Sequence, residues 1–302
     1  MPKTLNSLAE ANQAILTRAA ESPSRTMTIQ QLRSQPAYCG FVECHHLDRT
    51  FLMLLVNGDD GVALRWLWNR VYEGRTLALW AALAKRSRFI YDIGAHTGVY
   101  TIVARIANPT AMTMAFEPNM INYARLLTNL RANDIDPSDA YHMALSDVEG
   151  TVPFSVPAQP WYHSSGGTVG QRTGVPASPV TAMTVDGLVR RRPHQVDLAK
   201  IDTEGHEARV LNGMRGALKS GPDLILESVH ADSALACTSL LAAEGYRFYV
   251  IDEEAASLTP VGDLSPLSLD GKPDHARINR LATRRGPEEI AAMAAEAGLS
   301  SR

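Results

Sequence analysis

Two groups of residues in this chain have the types and spacing to do chemistry. The first is Asp92-Ile93-Gly94-Ala95-His96-Thr97-Gly98, which closes a short apolar run; Glu117 closes the next run 25 positions on, from 92 to 117. Glycines at the carboxyl end of a strand let the backbone turn sharply and approach a ligand. The spacing Gly94-x-x-x-Gly98 behind an acid differs from the Gly-x-Gly-x-x-Gly that cradles a dinucleotide pyrophosphate. A ligand with a cationic group and no pyrophosphate is helped by Asp92, and an acid ending the second strand can accept from both hydroxyls of a ribose. Asp92 alone reads equally well as a turn or capping carboxylate, but Glu117 followed by Pro118 weighs against that for the pair.

The second group is Lys200-Ile201-Asp202-Thr203-Glu204-Gly205-His206-Glu207, followed by Leu224-Ile225-Leu226-Glu227-Ser228-Val229-His230. Asp202, Glu204, Glu227 and His230 converge at neighbouring strand ends, where open α/β sheets bind their ligands. Burying such charges unpaired costs on the order of several kcal/mol each, so their density is a functional signal. The chemistry is proton removal from an acceptor. His230 is the first candidate base because imidazole titrates near neutral pH, with Glu204 or Glu227 orienting it or serving instead. His206 opens a helix and is free to face solvent, and Glu207 competes as a helix-capping charge. Asp202, Glu227 and a neighbouring oxygen could also hold Mg²⁺, which lowers an acceptor's pKa in some transfers.

The elements that must position these groups follow from periodicity. Short apolar runs at Phe89–Ile93, Met112–Phe116, Tyr141–Leu145, Val196–Ile201, Leu224–Leu226 and Phe248–Ile251 alternate with helical patterns at Val99–Ala107, Asn119–Ala132, His206–Leu218 and Ser233–Glu244. That alternation predicts βαβ units and a Rossmann-like α/β sheet with helices on both faces. A late strand, Arg277–Thr283, brings the expected count to seven, and Pro287–Ala297 reads as a terminal helix with Pro in its first turn. Residues 1–85 read as a helical and β N-terminal cap, with a helix over Leu5–Ala20, a strand over Phe51–Val56 and a mostly helical Val62–Leu83. Residues 86–285 form the ligand-binding domain, with a β-rich insertion over the site at about 150–183, and 286–302 form a C-terminal helix and tail. Trp66, Trp68 and Trp80 read as core or cap-interface aromatics; Tyr72-Glu73 could also face the ligand.

Composition bounds the function. A chain of 302 residues, 45% hydrophobic, can bury a full core. Its 29 Lys and Arg against 32 Asp and Glu, formal charge −3, give no bias toward nucleic acid or anionic membrane. Cys39, Cys44 and Cys237 make no disulfide framework, which fits a reducing cytoplasm, and no run approaches the ~18 apolar residues of a membrane span. Cys39, Cys44, His45 and His46 lack the two separated ligand pairs of a zinc site, so ordinary packing is expected and no metal ligands are assigned.

The segments Asp92 to Gly98, Phe116-Glu117-Pro118 with Leu126 to Asn129, and Val196 to Gly213 resemble the FkbM family of S-adenosylmethionine-dependent methyltransferases. Lys200-Ile201-Asp202-x-Glu204-Gly205-x-Glu207 is the most distinctive of them; the similarity covers roughly residues 50–250, and Tyr72-Glu73 matches a recurrent pair. The resemblance implies class I methyl transfer from S-adenosyl-L-methionine, usually to a hydroxyl oxygen of a sugar, polyketide or other secondary metabolite. The cofactor-binding set expected from these readings is Glu73, Asp92, Gly94, Ala95, His96, Thr97, Gly98, Glu117, Asn122, Ala144, Leu145 and Asp202. The expected partner is a small-molecule acceptor with a hydroxyl group, and a homo-oligomer is left open. Metal-assisted O-methyl transfer and N-methyl transfer are alternatives. A nicotinamide-dependent oxidoreductase would need a pyrophosphate-compatible glycine pattern, and a silent binding module would lack a base.

Overall fold

The computed structural model describes residues 4–22, 26–156, 167–269 and 272–301. Its strands in chain order are Cys39–His46 (β1), Arg49–Val56 (β2), Phe89–Ile93 (β3), Met112–Phe116 (β4), Ala140–Tyr141 (β5), Ala144–Leu145 (β6), Gly150–Ser155 (β7), Thr168–Val169 (β8) and Ala177–Met183 (β9). Leu198–Ile201 (β10), Asp223–Glu227 (β11), Arg247–Asp252 (β12), Ser257–Val261 (β13), Ser268–Leu269 (β14), Lys272–Pro273 (β15), Asn279–Thr283 (β16) and Ser300–Ser301 (β17) follow.

The main sheet has the order β17-β13-β12-β16-β11-β10-β3-β4-β5. Strands β5, β4, β3, β10 and β11 run parallel, and β16 lies antiparallel between β11 and β12. The sheet is therefore mixed and has nine strands rather than the expected seven, because β13 folds back on β12 and β17 adds to β13. The central parallel strands are buried on both faces, so β3 and β10 read as continuous runs rather than alternations. Ile90, Leu198, Ile225 and Leu281 face one core, while Tyr91, Ala199, Leu224 and Ala282 face the other.

The first core also takes in Ile15, Leu32, Val42, Met53, Trp66, Leu67 and Trp80. The residues before Lys85 thus continue the packing of that sheet face. Their hairpin, β1 against β2, was half legible: β1 escaped notice because Cys44 and His46 alternate with Val42 on its buried side. The expected helical stretch Val62–Leu83 is two helices, Gly61–Asn69 and Gly74–Ala84. Arg70 and Glu73 at positive φ (64° and 42°) break it, and the Glu253 carboxylate receives the first-turn Arg75 and Thr76 N–H groups of the second helix at 2.8 and 2.9 Å.

Two further expectations change. Tyr141–Leu145 is not one strand: β5 pairs with β4, the chain turns, and β6 joins β9 in a separate four-stranded sheet ordered β6-β9-β7-β8. His206–Leu218 is two short helices, Glu207–Asn212 and Arg215–Leu218, with Gly213 pressed so close to the Ser146 carbonyl that a Cβ would sit 1.9 Å from it. The middle of the expected insertion, residues 157–166, lies outside the described residues.

Candidate functional site

The connection after β3 leads to β4 on one side, whereas β10 lies on the other, so the order reverses between β3 and β10 and leaves a crevice at their carboxyl ends. A cavity of about 250 Å³ occupies it. Gly94 has φ +80° and room for no side chain: a Cβ would meet the Asp202 carbonyl at 1.8 Å. The glycine is needed first for the approach of the loops after β3 and β10, and only through that for a ligand. Gly98 (φ +99°) likewise yields its Cβ space to Leu126, at 2.5 Å. Beside them, Glu117 at the end of β4 accepts from the His96 N–H through Oε2 and the Asn119 N–H through Oε1, both at 2.8 Å. Its burial pushes its pKa up to about 7, against the opposing pull of His96 and those amides.

On the other side of the crevice, Lys200 stands opposite Asp92 in the β3/β10 register. Its ammonium is 1% exposed, 3.0 Å from Asp202 Oδ2 and 5.0 Å from the centre of the Tyr100 ring. Burial opposes its charge, but Asp202, Glu73 and Glu227 together outweigh it and raise its pKa. Tyr100 donates its hydroxyl to Glu73, whose carboxyl burial pushes upward. Glu227 ends β11 on the same face; burial, then Asp202, hold its pKa well above the ordinary carboxylate range, with Lys200 opposing. Asp92 is raised to about 6 by burial although Thr101 Oγ1 donates to it at 2.6 Å. The arrangement is a buried cation paired with Asp202, with Glu73, Asp92 and Glu227 around it, whose burial opposes their ionisation.

The FkbM methyltransferase domain matches residues 92–248, just over half of the chain. The chain belongs to the FkbM methyltransferase family. The hexuronic acid methyltransferase AglP of Haloferax volcanii is 30% identical over 153 residues, which cover 49% of this chain and 58% of that protein. Among solved structures, the FkbM methyltransferase of Methylobacillus flagellatus is 15% identical with a TM-score of 0.43, covering 74% of this chain and 55% of that one. The Bacillus cereus O-methyltransferase in complex with SAH is 14% identical with a TM-score of 0.39, covering 94% and 93%.

In this FkbM chain the cavity is lined by Asp92, Gly94, Ala95, His96, Glu117, Asn122, Ala144, Leu145, Asp202, Glu204 and Glu227. Glu73, Thr97 and Gly98 stand behind the lining: Glu73 under Tyr100, Thr97 fully buried with its carbonyl bonded by Asn129 Nδ2 at 2.8 Å. His230, named from the sequence as the base, is not brought to the cavity. It is exposed at the N-cap of helix Ala231–Ala243, and its ring lies against Gly205. The strand-end position that singled it out also begins the next helix, and the ring follows the helix outward.

Two neighbours differ from expectation as well. His206 does not face solvent; it is buried, 2.9 Å from Ser146 Oγ, and burial lowers its pKa. Glu207 shapes a loop: Oε1 receives the Thr203 and Gly205 N–H groups at 3.1 and 3.0 Å, and Oε2 the Ser233 hydroxyl at 2.6 Å. The Mg²⁺ arrangement finds no support. Among the described residues no His, Cys, Asp or Glu group has the disposition to hold a metal, and the Lys200 ammonium sits where Asp202 and Glu227 would have shared one.

Lys200, Tyr72, Tyr100, Phe154, Arg33 and Arg65 also line the cavity. Of these, Lys200 left a mark in the sequence as a lone charge inside an apolar strand, and Tyr72 as the neighbour of Glu73. Arg33 and Arg65 arrive by tertiary packing from the first 85 residues, Phe154 from the insertion, and Tyr100 from the helix Val99–Ala107 after the glycine turn.

Proposed function

We propose that this protein transfers a methyl group from S-adenosylmethionine to a hydroxyl oxygen of a small acceptor. The observation that carries the reading is that one crevice, at the sheet's switch point, receives both the Glu117 carboxyl and the Lys200, Asp202, Glu227 group. The residues fit the cofactor: Glu117, oriented by the His96 and Asn119 N–H groups and by the Asn122 side chain, lines the cavity as an acceptor that a ribose hydroxyl can reach. S-adenosylmethionine supplies an electrophilic methyl group when bound.

The chain's own work is then positioning and proton handling. Ala144, Leu145 and Met143 give an apolar wall on which a planar base can lie. Asp202, held by Lys200, is the fixed carboxylate facing the acceptor; Glu227, whose affinity for a proton is raised by burial, receives the proton that the acceptor hydroxyl loses. His230 is not given this role, since it lies outside the lining. The residues before Lys85 and the insertion shape the acceptor's side of the cavity through Ile29, Val62, Tyr72, Phe154 and Val169. The acceptor class is that of the Haloferax volcanii relative, a sugar.

The test is to follow methyl transfer from labelled S-adenosylmethionine to a panel of hydroxylated sugars with the native chain and Glu227→Gln. A general base contributes about 10²- to 10⁴-fold, so Glu227→Gln should lose turnover in that range while S-adenosylhomocysteine binds as before. Native turnover in Glu227→Gln would remove Glu227 from the mechanism, and absence of binding to either cofactor form would remove methyl transfer.

A further inference from the structure

The cavity wall contributed by the first 85 residues carries two guanidinium groups. Helix Ile29–Arg33 starts from a capping box in which Gln31 N–H donates to Thr28 Oγ1 at 3.3 Å and Thr28 N–H to Gln31 Oε1 at 2.8 Å. Helix Gly61–Asn69 starts from Asp60, which receives the Val62 and Ala63 N–H groups at 2.8 and 3.2 Å. The two meet at Gly61, where a Cβ would stand 3.7 Å from Ile29 Cδ1 and 3.8 Å from Arg65 Nη1. Arg33 and Arg65 thereby both reach the cavity lining.

Three half-buried arginines of the chain sit in ion pairs, and Arg65 is not one of them. Arg125 is paired with Asp59, Arg277 with Asp252 and Asp274, and Arg285 with Asp223. Among the described residues Arg65 has no carboxylate partner; its guanidinium lies 5.9 Å over the Tyr72 ring. A guanidinium drawn partly out of water without a counter-ion gives up hydration that a bidentate carboxylate restores. The same cavity holds Asp202, Glu204 and Glu227 on the β10 and β11 side, and Tyr72 senses both Asp202 and Arg65. An anionic ligand group is repelled by those carboxylates and drawn to the arginines.

We propose that Arg65, with Arg33, forms a subsite for a carboxylate on the methyl acceptor, so that the acceptor is an acidic sugar held with its hydroxyl toward Asp202 and Glu227. This rests on the methyl-transfer reading. The cofactor's own methionine carboxylate is the competing occupant, and the placement favours the acceptor: both arginines stand on the wall contributed by the first 85 residues, across the cavity from Asp202 and Glu227, whereas Asp92 and Glu117 stand at the ends of β3 and β4.

The test titrates the full chain, saturated with S-adenosylhomocysteine, with glucuronate, galacturonate and mannuronate, and in parallel with glucose, galactose and mannose. Ligand-observed NMR reads the affinities. At least one uronate should bind about tenfold or more tightly than its neutral counterpart, and Arg65→Gln should remove that preference, an interaction with a charged group being worth about tenfold or more. Arg65→Lys keeps the charge, loses the fork, and should retain part of the preference. S-adenosylhomocysteine affinity should stay within about twofold in both variants, the range of a contact not made. Equal binding of acidic and neutral sugars, or binding of neither, overturns the proposal. So does a parallel tenfold loss of S-adenosylhomocysteine affinity in Arg65→Gln, which would give the guanidinium to the cofactor. Should S-adenosylhomocysteine fail to bind the native chain, the cofactor reading falls, and the same titrations on the protein alone decide the arginine subsite by the uronate preference.

Discussion

Glu117 offers the sharpest quantitative test of the cofactor site. Its pKa of about 7 means that the free protein is only part-ionised at neutral pH, and only the carboxylate can accept from two ribose hydroxyls while still holding the His96 and Asn119 amides. For a group of pKa about 7 the ionised fraction is about one in eleven at pH 6 and about ten in eleven at pH 8. S-adenosylhomocysteine should therefore bind about tenfold more weakly at pH 6 than at pH 8, about 1.4 kcal/mol. The sign is fixed: a raised acid must lose its proton to bind, so affinity is lost as pH falls through about 7. Calorimetry in buffers of different ionisation enthalpy would count the released proton directly. Glu117→Gln removes the titrating group and leaves one backbone N–H facing an amide donor. It should weaken binding at pH 8 by about 1 to 3 kcal/mol and flatten the dependence. The ligand's own amino group titrates alike in both proteins and cancels in the comparison. A native protein whose affinity is level from pH 6 to 8, or a Glu117→Gln variant that keeps the native slope, would refute the reasoning.

Lys200→Met should cost about 3 kcal/mol in urea unfolding, because it leaves Asp202, Glu73 and Glu227 without the cation they surround, and Lys200→Met with Asp202→Asn should recover part of that; an additive double variant counts against the ion pair. Gly94→Ala should cost more than about 3 kcal/mol, since its Cβ meets the Asp202 carbonyl at 1.8 Å at φ +80°, whereas Gly262→Ala, with nothing within 4 Å, should stay within about 0.5 kcal/mol in the same assay.

Much of this architecture is written locally. Phe89–Ile93 and Met112–Phe116 are mostly apolar runs, the first opened by Arg88 and closed by Gly94, the second closed by Glu117, and both strands have those ends. Boundaries failed where a tertiary partner decides them. Tyr141–Leu145 is continuous in hydrophobicity, yet β4 claims its start and β9 its end. That Asp92, Glu117, Asp202 and Glu227 come to one crevice was legible because strand ends are fixed by the same runs that bury the sheet. His230 stands outside the cavity lining because, three residues past the end of β11, it is already the N-cap of the next helix, with its ring on Gly205. Arg33 and Arg65 could not be read at all, since nothing local to either helix says that Gly61 brings them to a crevice formed by strands far along the chain.

The carboxylates at the crevice divide by what already holds them. Glu207 has both oxygens bonded within the loop Thr203 to Gly205 and to Ser233, so it is a fixture of the backbone. Asp92 is buried and bonded by Thr101, which fixes it to the helix after the glycine turn. Glu117 is held by the His96 and Asn119 amides and by the Asn122 side chain, and it still lines the cavity. Asp202 and Glu227 lack such amide anchors among the described hydrogen bonds; what steadies them is Lys200, a single buried cation. The same loops carry Glu73, His96 and Glu204 at positive φ (42°, 52° and 53°), a conformation that costs a residue with a Cβ about 1 kcal/mol or more. Strain of that kind is stable only where neighbouring bonds over-determine it. Here Glu117 takes the His96 amide, and Glu207 takes the amides on both sides of Glu204. The fixed acids thus hold the backbone in the shape that lets the remaining acids meet an acceptor.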